Sequence, residues 1–252
     1  MTMNHVTLSH YLNDLLEVQR FDDVAYNGLQ FEGTRPIKKM IGAVTASLAV
    51  LEEAADLQAD CLLVHHGLFL KGLVHEIHGT LRKKIDLLCR SGIHLFAYHL
   101  PLDAHVEFGN AWPVARKLNW TNLEPFGTYK ETSIGVQGTC AEQSVEALHA
   151  SLQKIWKSAG VVVKASDKPV TKAALITGSG HRFFQEAITA GVDCFITGTA
   201  DEPMWHMARE EKVHYLSFGH AATETTGVEL LGKHLAEKFG LEFQFLPEKN
   251  PF

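Results

Sequence analysis

Apolar blocks and amphipathic stretches alternate along the chain. Residues 39–47 (Lys-Met-Ile-Gly-Ala-Val-Thr-Ala-Ser) form a run that predicts a buried strand ending in small residues. Residues 48–58 follow with apolar positions at helical spacing behind Ser47, a favoured cap. Residues 60–64 predict the next strand, which delivers His65 and His66. Residues 81–91 predict a helix with Leu81, Ile85 and Leu88 on one face, stopped by Gly92, and residues 93–98 a third strand. Ahead of these, residues 5–16 read as an amphipathic helix. Residues 26–33, rich in turn formers, read as a loop leading into a strand.

Strands alternating with helices predict a mainly parallel sheet covered on both faces, with ligands beyond the carboxyl ends of its strands. The plan then recurs. Residues 53–64 align without gaps on 186–197, residues 43–47 match 175–179, and residues 93–98 resemble 213–218. The expected fold class is therefore α/β, built as two related halves, 1–124 and 171–252. Between them, 125–170 reads as a small α+β connector belonging to neither repeat, with strands at 133–138 and 160–164 around a helix at 141–157. Its one chemical candidate, His149, reads as a surface or half-buried histidine.

Composition narrows the setting. The 252 residues carry a formal charge of -6 with no basic block, which argues against nucleic acid as a partner. Cys61, Cys89, Cys140 and Cys194 have neither CxxC spacing nor the density of a disulfide scaffold, so a reducing cytoplasm is expected. The first residues lack a basic start, and no run approaches the ~20 apolar residues of a membrane span.

Two adjacent imidazoles at the end of an apolar strand are poorly explained by packing. Neighbouring strand residues point to opposite faces, so His65 and His66 are expected to hold separate metals. The third strand of each half leads to a histidine, three residues and an acid: His99 to Asp103, and His220 to Glu224. Pro101 bars a regular helix interior, which predicts an extended segment with His99, Pro101 and Asp103 on one face. Residues 221–239 read as a helix with Val228, Leu231, Leu235 and Phe239 buried, placing His220 and Glu224 one turn apart. Imidazole with carboxylate suits zinc, iron, manganese or nickel, and a carboxylate can bridge two ions. Either pair alone would be an ordinary hydrogen-bonded pair. Their recurrence at equivalent strand ends is what points to metal. His75, His78, His105, His181, His206, His214 and His234 read as structural or surface, with His105 a candidate supporter of the ligands. Residues 177–180 (Thr-Gly-Ser-Gly) read as a tight turn rather than an anion site.

Asn27-Gly28-Leu29-Gln30 with Gly33, Val64-His65-His66-Gly67, His99-Leu100-Pro101-Leu102-Asp103 and Gly219-His220-Ala221-Ala222-Thr223-Glu224, in that order, resemble the motifs of the dinuclear-metal-centre family of GTP cyclohydrolase 1 type 2 homologs, within the NGG-interacting-factor-like superfamily. The resemblance implies two α/β domains facing across a metal cleft, two divalent ions per subunit, and a homo-oligomer in the form of a hexameric ring. It carries ligand roles onto His65, His66, Asp103, His220 and Glu224, with Glu224 the bridge and His99 a nearby or occasional ligand. One position departs: the family commonly has Thr-Gly-Glu where this chain has Thr197-Gly198-Thr199, so if that glutamate orients water or substrate, either Asp201 or Glu202 replaces it or that function is altered here. The expected function is a hydrolase in which two ions acidify a bound water and clamp the reacting oxygens, with Glu224 and His99 as its catalytic groups. A nucleotide substrate, opened at the GTP ring or cleaved at a phosphoester, follows from the family alone. The alternatives are a metal-binding or metal-delivery protein without turnover, and a ring-forming interaction protein with structural metals.

Overall fold

The computed structural model describes residues 3–72 and 76–252, so His75 lies outside the described residues. In chain order the elements are α1 (His5–Leu15), β1 (Gly28–Phe31), β2 (Lys39–Thr45), α2 (Leu48–Asp56), β3 (Cys61–His66), α3 (Gly79–Ser91), β4 (His94–Ala97) and α4 (Leu100–Asp103). There follow α5 (Trp112–Lys117), β5 (Thr121–Tyr129), β6 (Thr132–Gln143), α6 (Val145–Trp156), β7 (Val161–Val163), β8 (Val170–Leu175), α7 (Phe184–Thr189), β9 (Cys194–Thr197), α8 (Glu202–Glu211), β10 (His214–Ser217), α9 (His220–Thr223), α10 (Thr225–Phe239) and β11 (Glu242–Phe245). They form two compact units, one comprising the chain up to Leu102 with Gly227–Glu248, the other Asp103–Thr226 with Lys249–Phe252.

The first unit holds a five-stranded sheet ordered β1-β4-β3-β2-β11. All neighbours are parallel except β1, which runs antiparallel along β4. Part of the segment expected to be a loop is thus itself an edge strand. Ile41, Leu51, Leu62, Val64, Leu88 and Leu95 fill one core face. The local signals hold: Ser47 Oγ accepts from Val50 N–H at 3.2 Å, and Gly92 ends α3 in the left-handed region at φ 68°.

The second unit holds a six-stranded sheet ordered β5-β6-β8-β9-β10-β7, parallel across β8, β9 and β10 and antiparallel elsewhere. The 125–170 segment, expected to stand apart from both repeats, supplies strands to this sheet, and Leu148, Leu152 and Trp156 of α6 pack into the same core as Val170, Leu175 and Ile196. The helix expected from residue 141 begins only at Val145, because β6 runs on to Gln143 and Ser144 Oγ caps by accepting from Ala147 N–H at 3.2 Å.

The duplication extends to hydrogen bonds. Asp60 Oδ2 accepts from the N–H groups of Lys38 and Lys39 at 2.9 and 3.0 Å, and Lys39 Nζ donates to Leu57 O at 2.8 Å. In the second half Asp193 Oδ2 accepts from Thr171 and Lys172 N–H at 2.9 and 3.0 Å, and Lys172 Nζ donates to Ala190 O at 2.7 Å. His94 and His214 are a matched pair as well. Each accepts a backbone N–H at Nδ1, from Gly33 (2.9 Å) or Ala165 (3.2 Å), and donates from Nε2 to a carbonyl, of Arg35 (2.8 Å) or Lys168 (2.9 Å). Both histidines are structural.

Asp193 also carries a pH signature. Burial alone would raise its carboxyl, but the Lys168 ammonium and the Thr171 donors outweigh that and hold it at about 2. An unfolded aspartate titrates near ~3.9. Because the folded value is the lower one, Asp193 contributes stability that is full above pH ~4 and is lost as pH falls toward ~2. Asp193→Asn is expected to cost about 1–3 kcal/mol at pH 7. In denaturant titrations that gap from wild type should narrow between pH 5 and pH 3; a constant gap would show that the charge contributes nothing.

Candidate metal centre

In the first unit β3 carries two histidines to its carboxyl end. His65 is fully buried, and its Nδ1–H donates to Tyr98 O at 2.9 Å, which places the lone pair on Nε2. His66, half-buried, has Nδ1 3.1 Å from Thr45 Oγ1 on the neighbouring strand. His99, just beyond β4, donates from Nδ1 to Asp23 Oδ1 at 2.9 Å. The three ring centroids are 4.8 Å (His65 to His66), 5.0 Å (His65 to His99) and 5.8 Å (His66 to His99) apart. One ligating atom from each lies within 4.8 Å of the others. The expectation that His65 and His66 diverge is therefore overturned. Alternation sets the Cβ directions, but β3 ends at His66, and both rings lean together at the strand end.

Asp23 is the residue that sequence reasoning missed. It is 1% exposed, and besides His99 its carboxylate accepts from Ala25 N–H (3.1 Å), Asn27 Nδ2 (2.9 Å) and Leu100 N–H (3.0 Å). Burial pushes its pKa up, yet the hydrogen bond and positive charge of His99, with Asn27 and the Ala25 N–H, hold it well below the carboxylate range. The only sequence signal was an acid four residues before Asn27 in a turn-rich stretch. The Asn27–Gln30 motif braces the same loops. Asn27 Oδ1 accepts from His99 N–H at 2.7 Å, and Gln30 Oε1 accepts from Leu68 N–H at 2.7 Å. A Cβ on Gly67 would run into the Gln30 carboxamide, so a side chain there would displace Gln30 from its place beside the loop.

Pro101 does not enforce an extended segment. It is the second residue of the short helix α4, where its missing N–H is not required, so the expected common face of His99, Pro101 and Asp103 does not form.

In the second unit Asp103 is 6% exposed, and its Oδ1 accepts from Asn110 Nδ2 at 2.8 Å and Thr177 Oγ1 at 3.3 Å. The single helix expected over 221–239 is split: α9 begins at His220, Glu224 leaves helical geometry at φ -102°, and α10 resumes at Thr225. His220 Nε2 and Glu224 Oε1 still meet, at 3.2 Å, with Glu224 3% exposed. The ligating oxygen of Glu224 also lies within 4.8 Å of that of Asp103, so this carboxylate stands beside both of its unit's other candidate ligands.

The residue 177–180 turn serves these donors. Gly178 sits at φ +58°, and a Cβ there would collide with Glu224 Oε1 and approach His220 Nε2 to 3.2 Å. Its N–H donates to Thr223 Oγ1 at 3.0 Å instead of facing an anion. Ser179 Oγ lies 3.2 Å from His220 Nδ1. At the departing position, Thr199 Oγ1 meets His181 Nδ1 at 2.7 Å, and burial foremost lowers the His181 pKa. Neither proposed stand-in takes part: Asp201 caps α8, and Glu202 pairs with His206 Nε2 at 3.1 Å on the surface.

Two further histidines have local roles. His105 Nδ1 accepts from Glu107 and Phe108 N–H at 3.1 and 3.0 Å, which closes its own turn. His149 stacks on Phe218 at 5.1 Å. The candidate donors fit divalent metal chemistry: imidazoles oriented through Nδ1 by acceptors or hydroxyls, buried carboxylates, and a glycine cradle that admits them.

A duplicated α/β fold with imidazole and carboxylate clusters at its strand ends defines a class of proteins equipped with potential metal ligands. This chain belongs to the Duf34/NIF3 (NGG1p interacting factor 3) family, whose model matches residues 3–251. It is 42% identical over 253 residues to the GTP cyclohydrolase 1 type 2 homolog of Chlamydia muridarum, covering 99% of this chain and 100% of that one. The homolog of Chlamydia trachomatis is 44% identical over 254 residues, with the same coverage. Among solved structures, protein ybgI superposes with a TM-score of 0.92 at 34% identity, and TTHA1606 from Thermus thermophilus with 0.91 at 32%, each covering 99% of this chain and 100% of the other. Among the described residues no helix is long and apolar enough to cross a membrane.

Proposed function

We propose that this protein is a metal-dependent hydrolase, in which His65 and His66 of the first unit and Asp103, His220 and Glu224 of the second would serve as ligands for two divalent ions. The observation that carries the reading is the His65, His66 and His99 cluster, with ligating atoms within 4.8 Å of one another and two of its rings oriented by acceptors. When bound, such ions supply Lewis acidity that makes water nucleophilic near neutral pH and clamps the reacting oxygens. His99 moves the proton: with Nδ1–H held by Asp23, its Nε2 can take a proton from water and return it to the leaving group, while the Asp23 carboxylate stabilises the imidazolium. Gly178 and Thr177 keep Glu224 and Asp103 in place.

The relatives' name, GTP cyclohydrolase 1 type 2 homolog, favours a nucleotide substrate, through opening of the GTP ring or cleavage of a phosphoester. The working form is proposed to be a homo-oligomer, a hexameric ring, which light scattering would measure directly. The functional test is turnover of GTP and a phosphoester panel by metal-loaded protein beside Glu224→Ala. Since loss of an outer-shell partner alone costs 10- to 100-fold, loss of this ligand is expected to cost at least about 100-fold. Equal rates from both proteins would remove the proposal.

A further inference from the structure

The first unit places a lysine at the strand end that carries its histidine pair. Leu62 and Val64 of β3 and Leu88 of α3 lie in one core, so His66, two residues beyond Val64, starts from the same side of the sheet. Because β3 and β4 are parallel, α3 between them runs back from their carboxyl edge, and Lys84 stands one helical turn before Leu88, toward that edge. Its Nζ donates to Ala46 O at 2.6 Å. Ala46 N–H in turn donates to His66 O at 2.8 Å, and the preceding Thr45 meets the His66 ring at 3.1 Å.

The Lys84 ammonium is half-buried, and among the described residues no carboxylate pairs with it. Burial lowers its pKa, against a smaller pull from the Glu248 carboxylate, which Ser47 Oγ holds at 3.1 Å. A cation drawn out of water without a counter-ion costs stability, and capping a carbonyl does not require a charge. The repeat separates the two roles. Counting back without a gap from the matched His94 and His214 puts the buried Leu88 opposite the buried Ala208, and Lys84 opposite Met204. The carbonyl equivalent to that of Ala46 belongs to Gly178, and it accepts from Gly198 N–H at 3.1 Å and Thr197 Oγ1 at 3.3 Å instead. Lys39 and Lys172, which serve the fold, recur in both halves. Lys84 does not, and so it goes with the half that carries the histidine pair.

Resting on the reading that a nucleotide is the substrate, we propose that Lys84 binds a phosphate group of that substrate beside the His66 strand end, and so selects phosphorylated ligands over unphosphorylated ones. An ammonium is a point charge with three donors on a flexible stem, which suits a phosphate oxygen in many orientations. One donor is spent on Ala46 O, which leaves two to meet an anion. The phosphate supplies the counter-charge that the ammonium lacks, and the attraction gains strength because the cation is already partly out of water. Met204, at the equivalent place in the second half, offers no charge.

The test is equilibrium dialysis of GTP and of guanosine against zinc-loaded full-length protein. Wild type should hold GTP at least about tenfold more tightly than guanosine. Lys84→Met and Lys84→Gln should weaken GTP by roughly 10- to 100-fold, the weight of one hydrogen bond to a charged group, and leave guanosine within about threefold. Lys84→Gln keeps an N–H donor for Ala46 O, so it separates the charge from the cap, and Lys84→Arg should hold GTP within about fivefold of wild type. Variants that weaken GTP and guanosine alike, a Lys84→Gln protein that binds GTP as wild type does, or wild type with no preference for GTP would each overturn the proposal. The hydrolase reading is decided separately by Glu224→Ala: rates equal to wild type would remove it while a GTP-specific loss in the Lys84 variants stood.

Discussion

Asp23→Ala protein is expected to unfold with about 3–5 kcal/mol less free energy than wild type, because four donors that this buried carboxylate serves would lose their acceptor together. The carboxylate gathers donors from four residues on two segments of the chain: Ala25 N–H and Asn27 Nδ2 nearby, and His99 Nδ1 and Leu100 N–H from beyond β4. Its loss frees the loop before β1 and the turn that presents His99 at once. At about 2–4 °C per kcal/mol for a protein of this size, the melting temperature should fall by roughly 6–20 °C. Asp23→Asn should lose less stability but offer an amide N–H to His99 Nδ1, which favours the opposite tautomer and unseats Nε2 as a proton acceptor. Urea denaturation of stripped protein reads the first effect, and ¹⁵N shifts of the His99 ring the second. A loss under about 1 kcal/mol in Asp23→Ala would mean that the carboxylate does not hold this loop.

Gly33→Ala should be nearly as damaging for a different reason. A Cβ there would come no farther than 2.6 Å from Gly92 O, Ile93 C and His94 N, all backbone atoms of the segment that starts β4. A flexible side chain could move aside; these atoms cannot without breaking the Gly33 N–H bond to His94 Nδ1 at 2.9 Å. We expect a loss of about 3 kcal/mol, the upper end of ordinary overpacking. Gly191→Ala is the matched comparison. Gly191 has φ +66° and nothing within 4 Å of an added Cβ, so only the backbone cost of about 1–2 kcal/mol applies. If denaturant midpoints shift equally in the two variants, close approach is not what position 33 requires.

The parts of the molecule that rest on local pattern were legible before any coordinates. The β2, α2, β3, α3, β4 order, the Ser47 cap and the Gly92 stop follow from periodicity and capping chemistry, and the repeat brought out the two histidine-acid pairs. What could not be read depends on partners distant in sequence. Asp23 is a lone acid until His99, 76 positions away, reaches it. The sheet membership of 125–170 depends on β6 pairing with β8, a long-range choice that strand propensity does not encode. The Pro101 argument failed for a narrower reason, since proline forbids helix interiors but suits first turns. The leaning of His66 toward His65 failed because alternation governs a strand's interior and not its last residue.

The return of the chain to the first sheet has a consequence for biosynthesis. β11 pairs with β2 in register from Glu242 opposite Lys39 to Phe245 opposite Gly42, so a sheet begun within the first 45 residues gains its final strand only near residue 245. The strands of the other sheet all lie between Thr121 and Ser217. Since domains tend to fold as units while the ribosome is still elongating, the inserted unit can complete its sheet first, and the earlier-made segment waits with the β2 edge uncovered. A nascent chain stalled before residue 242 should therefore resist protease across the insert and be cut in the segment that left the ribosome first, the reverse of the usual order of emergence.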